Sequence, residues 1–394
     1  MRCAILLLFS GWIFSLMTAS CGTKPTANLQ AKSAEVDSLV VRARRSGAKN
    51  IDSLRTVERD LAKRYVEKIG IENIAADDLY AAARLFHKAQ RPDTAVELLE
   101  KYVAQNEKNL DAMDMLFELY LDGEKPAAAE KLFKNRMALI ESQQLGTYYL
   151  YLYYGYADIG LDQDAIRLAD EAAVKADSAM ALRLQVEKSE LLWRQGEHEK
   201  AMSLLDDLRK KYGSSEQSLS RIEKKENLFK LIGRKSSELH AEQWIDSAPM
   251  TLSLLRGRVV LLEFWAPWCG PCRATFPHLK HLYDAYKGQG LEIIGVTKYY
   301  GYFNQLGEDR RDLSEEDEIS FIKKFKEHHR IPFPYAIISN EDADPVYTAF
   351  GVGGIPHVLL LDKKGRVRDF AIGSGKANEQ LLERTIRQLL QESL

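Results

Sequence analysis

At 394 residues the chain is long enough for two domains, and 45% hydrophobic with 28% charged residues is ordinary globular composition. A formal net charge of -2 gives no electrostatic case for nucleic-acid binding. Locally charged runs such as Gly307-Glu308-Asp309-Arg310-Arg311-Asp312 mix both signs and read as solvated surface.

Residues 1–20 carry Arg2, then an apolar stretch from Cys3 to Met17, then small residues. That pattern is a secretory signal peptide, too short and too poorly flanked for a membrane span. Cys21 directly follows Thr18-Ala19-Ser20, which resembles a bacterial lipobox, although Thr18 stands where leucine is usual. The resemblance implies that Cys21 becomes the lipidated first residue and holds the protein at a membrane surface. Ordinary secretion and an uncleaved anchor are the alternatives. Residues 21–33 are polar and poor in bulky apolar side chains, and read as a tether.

From 34 to 228 the apolar residues recur at three-to-four spacing, interrupted by Pro92 and Pro126, so a helical domain is expected. Segments starting at Gln90, Gly123, Gly160 and Gly196 align, 33, 37 and 36 residues apart. Each has a turn residue, an alanine five positions later (Ala95, Ala128, Ala165, Ala201) and an apolar stripe. This resembles tetratricopeptide repeats; a generic helical bundle is the alternative. The domain holds no cysteine and no catalytic constellation, and His87 and His198 are isolated. The run Tyr148-Tyr149-Leu150-Tyr151-Leu152-Tyr153-Tyr154 must show tyrosines on more than one helix face, through helix packing or an exposed groove.

Residues 229–394 change to short apolar runs with turn signals. Segments 239–244 and 250–252 flank Asp246-Ser247 and suggest a hairpin. Strands are expected at 258–265, 291–297, 335–339, 357–362 and 366–372, and helices from Cys269 to about Tyr286 and over 316–329, 344–350 and 377–392. The fold class is therefore α plus α/β: helical repeats followed by a mixed central sheet flanked by helices.

Trp268-Cys269-Gly270-Pro271-Cys272 sits where the buried strand meets the helix. A Cys-x-x-Cys pair there is a redox motif, because the helix N-terminus favours the thiolate of Cys269 over its thiol. Zinc binding with His278 and His281, and a purely structural disulfide, are the competing readings. Helical spacing turns both imidazoles away from the sulfurs, and no metal is assigned. Glu263 lies inside Val259-Val260-Leu261-Leu262-Glu263-Phe264-Trp265, where a buried carboxyl should have a raised pKa suited to a general base. An exposed strand face is the alternative for it.

Residues 264–272 resemble the thioredoxin active-site segment. Glu263 matches its buried carboxylate, Pro277 its helix-kinking proline, and Gly354-Ile355-Pro356 its cis-proline loop. Leu254-Leu255-Arg256-Gly257-Arg258, and the extra sequence before the cis-proline, resemble the envelope-tethered TlpA/ResA-like branch. The resemblance covers roughly residues 230 to 394. It implies a thioredoxin fold in which Cys269 attacks, Cys272 resolves and Glu263 takes the Cys272 proton, with no cofactor. It further implies that Pro356 is cis, that Ile355 offers backbone groups to an extended client, and that Trp268 shields Cys269. His357 follows the proline where thioredoxins usually carry threonine; it is a pH-sensitive neighbour of the site or a plain strand residue. Gly270-Pro271 matches reducing thioredoxins, so a membrane-anchored reductase of disulfide-containing envelope proteins is expected. Oxidase or isomerase activity, or a scaffold lipoprotein, are the alternatives. Implied partners are a membrane electron donor of the DsbD/CcdA kind and clients such as apocytochrome c thiols or misoxidised envelope proteins, in the bacterial periplasm.

Overall fold

The computed structural model describes residues 28–45 and 51–393. The signal segment, Cys21 and most of the expected tether lie outside the described residues. Helix α1 begins at Leu29, inside the segment expected to be a tether, because its apolar face (Leu29, Val36) is buried in the helical core.

Eleven helices make up the first part of the described chain: α1 Leu29–Arg45, α2 Ile51–Val66, α3 Leu79–Lys88, α4 Pro92–Gln105, α5 Leu110–Asp122, α6 Pro126–Arg136, α7 Ser142–Asp158, α8 Asp162–Lys175, α9 Ser178–Arg194, α10 His198–Tyr212 and α11 Glu216–Leu231. Neighbouring helices pack as antiparallel pairs, α3 with α4, α5 with α6, α7 with α8 and α9 with α10. One turn recurs in all four pairs. Gln90, Glu124, Gly160 and Gly196 sit at φ 61°, 57°, 77° and 81°. The next N–H (Arg91, Lys125, Leu161, Glu197) donates to the carbonyl of Phe86, Tyr120, Tyr156 or Leu192 at 2.8–2.9 Å. These six-to-one bonds close the first helix of each pair and set the entry of the second.

The second unit is one residue off the expected alignment. Its turn residue is Glu124 rather than Gly123, and the fully buried alanine is Ala129 rather than Ala128. With that shift the turns fall at regular steps of 34, 36 and 36 residues. Ala95, Ala129, Ala165 and Ala201 are all fully buried, which lets the paired helices approach closely.

The second part contains β1 Gln243–Ile245, β2 Val259–Phe264, α12 Gly270–Tyr286, β3 Leu291–Lys298, β4 Tyr302–Phe303, β5 Arg310–Arg311, α13 Glu315–His329, β6 Tyr335–Ile338, α14 Asn340–Ala349, β7 His357–Leu361, β8 Val367–Ile372 and α15 Lys376–Gln391. Six strands form one mixed sheet in the order β1-β6-β3-β2-β7-β8, and β4 and β5 form a separate ribbon. β2 pairs in parallel with β3 and antiparallel with β7. All six of its residues are buried, as a central strand covered on both faces requires. This is a thioredoxin-like sheet. The expected hairpin at 239–252 does not form. The turn at Asp246 is real (φ 60°), but β1 pairs antiparallel with β6 across Trp244 and Ala336, and residues 252–255 form a 3-10 turn.

One sheet face is covered by α12, α13 and α15, with Phe276, Leu282, Phe325 and Ile386 packed on Leu261 and Ile293. The other face presents Val260, Leu262, Leu359, Leu361 and Phe370, and the helical domain helps to cover it. Leu182 and Val186 of α9, Leu205 of α10 and Leu228 and Phe229 of α11 join that core. Phe229 stacks on Trp193 with ring centroids 4.3 Å apart and lies 6.1 Å from Phe370. Past α11, Gly233, Arg234 and Ser236 form backbone hydrogen bonds with Val367 and Gly365 along the edge of β8. The expected boundary at 228/229 therefore falls inside a shared core, with α11 running on to Leu231.

Candidate active site

β2 delivers the chain through Trp265-Ala266-Pro267-Trp268 to the N-terminus of α12, where Cys269 is the capping residue. Cys269 and Cys272 form a disulfide. The sulfur of Cys269 accepts the backbone N–H of Cys272 at 3.2 Å. A thiolate at that atom gains this bond and the positive end of the helix. Cys269 retains 4% exposure and Cys272 none, so a partner sulfur can reach only Cys269 without rearrangement. Trp268 beside it is 37% exposed and meets Tyr300 edge-on at 5.4 Å. Arg273 donates to the Pro267 carbonyl at 2.9 Å and ties down the loop before Cys269.

Glu263 is fully buried on β2, opposite Gly295 of β3 and Val358 of β7. Burial pushes its carboxyl up to about 8, and a hydrogen bond with Thr275 opposes the shift. Thr275 Oγ1 lies 2.8 Å from Glu263 Oε1 and 2.7 Å from the Cys272 carbonyl oxygen. One hydroxyl proton cannot serve both. With Glu263 protonated, its carboxyl donates to Thr275 and Thr275 donates to Cys272. With Glu263 ionised, Thr275 turns its proton to the carboxylate.

Gly295 is required here, because a Cβ would meet the Tyr335 ring at 2.5 Å and Trp265 Nε1 at 3.1 Å. Trp265 and Tyr335, rings 4.6 Å apart, fill the space beside Glu263. Burial, and after it the Glu263 charge, hold the Tyr335 phenol well above its usual range.

Thr275, Trp265, Tyr335 and Gly295 were not among the sequence candidates. Two of them left a signal: Thr275 lies one helical turn beyond Cys272, on the same face, and Trp265 lies two residues beyond Glu263 in the expected strand, on the face of Glu263.

The Ile355–Pro356 bond is cis. Phe264 pairs with His357, so the antiparallel register carried one step further sets Pro356 beside Trp265, at the strand end that leads to Cys269. Pro356 is buried, its carbonyl accepting from Gly373 at 2.9 Å, and Ile355 is half-buried at the rim. His357 begins β7 on the face turned to the helical domain, edge-on to Phe264 at 6.1 Å. Full burial pushes it down to about 3, so it is a neutral strand residue at ordinary pH. His278 is turned to α15, where Glu379 and Glu383 bear on it. Among the described residues no group of His, Cys, Asp and Glu is arranged to hold a metal ion.

The Redoxin family model matches residues 244–386. Thiol-disulfide oxidoreductase ResA of Geobacillus kaustophilus is 36% identical over 123 residues, 31% of this chain and 59% of that protein. ResA of Bacillus thuringiensis subsp. konkukian is 30% identical over 139 residues, 35% of this chain and 68% of that protein. The chain belongs to the ResA family of thiol-disulfide oxidoreductases. It spans 57% of the Geobacillus thermodenitrificans relative, somewhat under two-thirds of that protein's length. A solved thiol:disulfide interchange protein DsbE from Chlorobium tepidum is 26% identical, with TM-score 0.33 over 40% of this chain and 97% of its own. The residues matched by the family model lie in the second part of the chain, after the eleven helices.

Proposed function

We propose that the protein is a thiol-disulfide oxidoreductase that reduces disulfides in protein clients. The observation that carries the reading is the Cys269–Cys272 disulfide, opened toward solvent only at the helix-capping Cys269 and backed by a buried carboxyl near pKa 8. In the reduced enzyme the Cys269 thiolate attacks a client disulfide, forming a mixed disulfide and expelling one client thiolate. Cys272 then attacks Cys269 Sγ, expels the second client thiolate and closes the Cys269–Cys272 bond. Two electrons pass to the client, which leaves as a dithiol after taking up two protons. Glu263 accepts the proton that Cys272 loses. A pKa near 8 lies close to that of an ordinary thiol at about 8.5, so the transfer is nearly balanced. Ile355 and Pro356 form the edge along which an extended client lies, and Trp268 covers one side of the sulfur.

Gly270-Pro271 between the cysteines, with no histidine in the motif, supports the reducing direction. The lipobox-like segment ending at Cys21 supports a lipid anchor on the periplasmic side of a bacterial membrane, near a DsbD/CcdA-like donor that restores the dithiol. The helical domain, with its tetratricopeptide-like spacing, holds clients. Insulin-disulfide reduction by the full chain with dithiothreitol tests the activity, and turnover must vanish in Cys269→Ser. A glutathione titration tests the direction. A potential near about -270 mV fits a reductase, and one near about -120 mV contradicts it.

A further inference from the structure

A cleft of about 520 Å³ separates the cis-proline loop from the helical domain. Gly354 and Ile355 form one side, and Tyr154 of α7, Arg183 of α9 and Arg221 and Lys224 of α11 form the other. The two sides are in contact at the base. A Cβ on Gly351 would meet Leu228 and Leu231 at 3.1–3.3 Å, and one on Gly353 would meet the Lys224 stem at 3.7 Å.

The charges on the walls do not balance. Lys225 is buried and matched, 2.5 Å from Glu190 and 3.5 Å from Glu187. Glu187 is the one carboxylate among the lining residues, and Lys225 engages it. Arg183, Arg221 and Lys224 have no carboxylate partner among the described residues. The Nε of Arg183 is buried without an acceptor. Three cations therefore face a cleft that opens onto the residue preceding the cis-proline.

We propose that this cleft binds an acidic stretch of the client polypeptide, next to the cysteine that Cys269 attacks. The enzyme thereby selects clients with Asp or Glu flanking the target disulfide. This rests on the reading of Cys269 as nucleophile and Ile355-Pro356 as the client edge. The chain's own leader does not fit the cleft, because residues 1–27 hold Arg2 and Lys24 and no Asp or Glu. Three cations without a carboxylate partner along an open cleft, Arg221 and Lys224 exposed and Arg183 half-buried, favour a polyanionic peptide over its neutral counterpart by about tenfold at low salt.

The test uses the full chain with Cys269→Ser and Cys272→Ser, so no electron transfer contributes to the readout. Fluorescence anisotropy compares a labelled Glu-rich peptide with its Gln counterpart. At about 50 mM salt the Glu peptide should bind about tenfold more tightly, and the ratio should shrink at about 300 mM as screening grows. Adding Arg221→Glu and Lys224→Glu should bring the ratio to one or below, and Arg221→Gln with Lys224→Gln should give an intermediate ratio. Cooperative unfolding by circular dichroism confirms that each variant is folded. Equal affinities in the parent protein, or a preference that survives charge reversal, overturn the proposal. Insulin turnover without acid preference removes the cleft reading alone. Acid preference without turnover supports the cleft and removes the redox reading alone.

Discussion

Glu263 and Thr275 are hydrogen-bonded at 2.8 Å across the gap between the central strand and the active-site helix. The same hydroxyl reaches the carbonyl of Cys272, so the protonation state of the acid is linked to the backbone of the resolving cysteine. Thr275 is the one group that lowers the Glu263 pKa against burial. Thr275→Val should therefore raise it further and slow resolution of the mixed disulfide at neutral pH. The midpoint of the pH profile for resolution, measured by stopped flow, should move up by about half to one pH unit, and Thr275→Ser should restore it. Glu263→Gln should slow resolution by about a hundredfold and attack by far less. Equal slowing of both steps would contradict the assignment.

The raised Glu263 pKa also sets a stability trend. The folded protein keeps this proton up to about pH 8, whereas the unfolded chain releases it near 4.5. Between those values the folded state binds more protons, so the Glu263 contribution weakens as pH rises. His329 and His357, pushed down to about 4 and about 3, act oppositely but only below their unfolded value of 6.5. Asp158, raised to about 6, has also mostly titrated by then. From pH 6.5 to 8 the oxidised protein should lose about 1.5 kcal/mol more stability than Glu263→Gln, read by urea denaturation at each pH.

Much of this site was legible from residue types. The apolar run 259–265 located a buried strand and hence a buried Glu263, and Cys-Gly-Pro-Cys located the helix start. The pairing of β1 was misread because the turn at Asp246, just after it, suggests a hairpin with the next segment, whereas its partner β6 lies about ninety residues away. The repeat alignment slipped at Gly123 because glycine is the default left-handed residue, while the structure gives that conformation to Glu124. Tyr335 reaches Glu263 only through strand register, by way of Gly295, which no local pattern records, whereas Trp265 lies two residues along the same expected strand and so on the same face.

The recurring helix turn carries a measurable backbone cost. A Cβ at Gly160 would meet nothing within 4 Å, so Gly160→Ala should cost about 1 kcal/mol through its left-handed φ alone. Gln90→Gly, at the equivalent turn, should stabilise by a few tenths to about 1 kcal/mol. Denaturation midpoints moving in the same direction for both would contradict the equivalence of the turns.

Because the domains share a core, they should unfold together. Phe229→Ala removes a side chain buried against Trp193 and Phe370, and should cost about 3–4 kcal/mol. Helical circular dichroism and the fluorescence of Trp265, in the second domain, should report one coincident transition. A fragment starting near Leu228 loses α9 and α10 from one sheet face, and should bind a hydrophobic dye and unfold at lower urea than the intact chain. A fragment as stable as the full protein would show that the helical cover is dispensable.

The central claim, a two-cysteine exchange with Cys269 outside and Cys272 resolving, is tested most directly by mass spectrometry of quenched single turnovers. Reduced Cys272→Ser mixed with a disulfide-containing peptide should accumulate one peptide per chain, linked through Cys269. Cys269→Ser should accumulate none, and the unaltered enzyme should show only a transient adduct that decays to the Cys269–Cys272 disulfide. An adduct on Cys272, or stable adducts in the unaltered enzyme, would contradict the account.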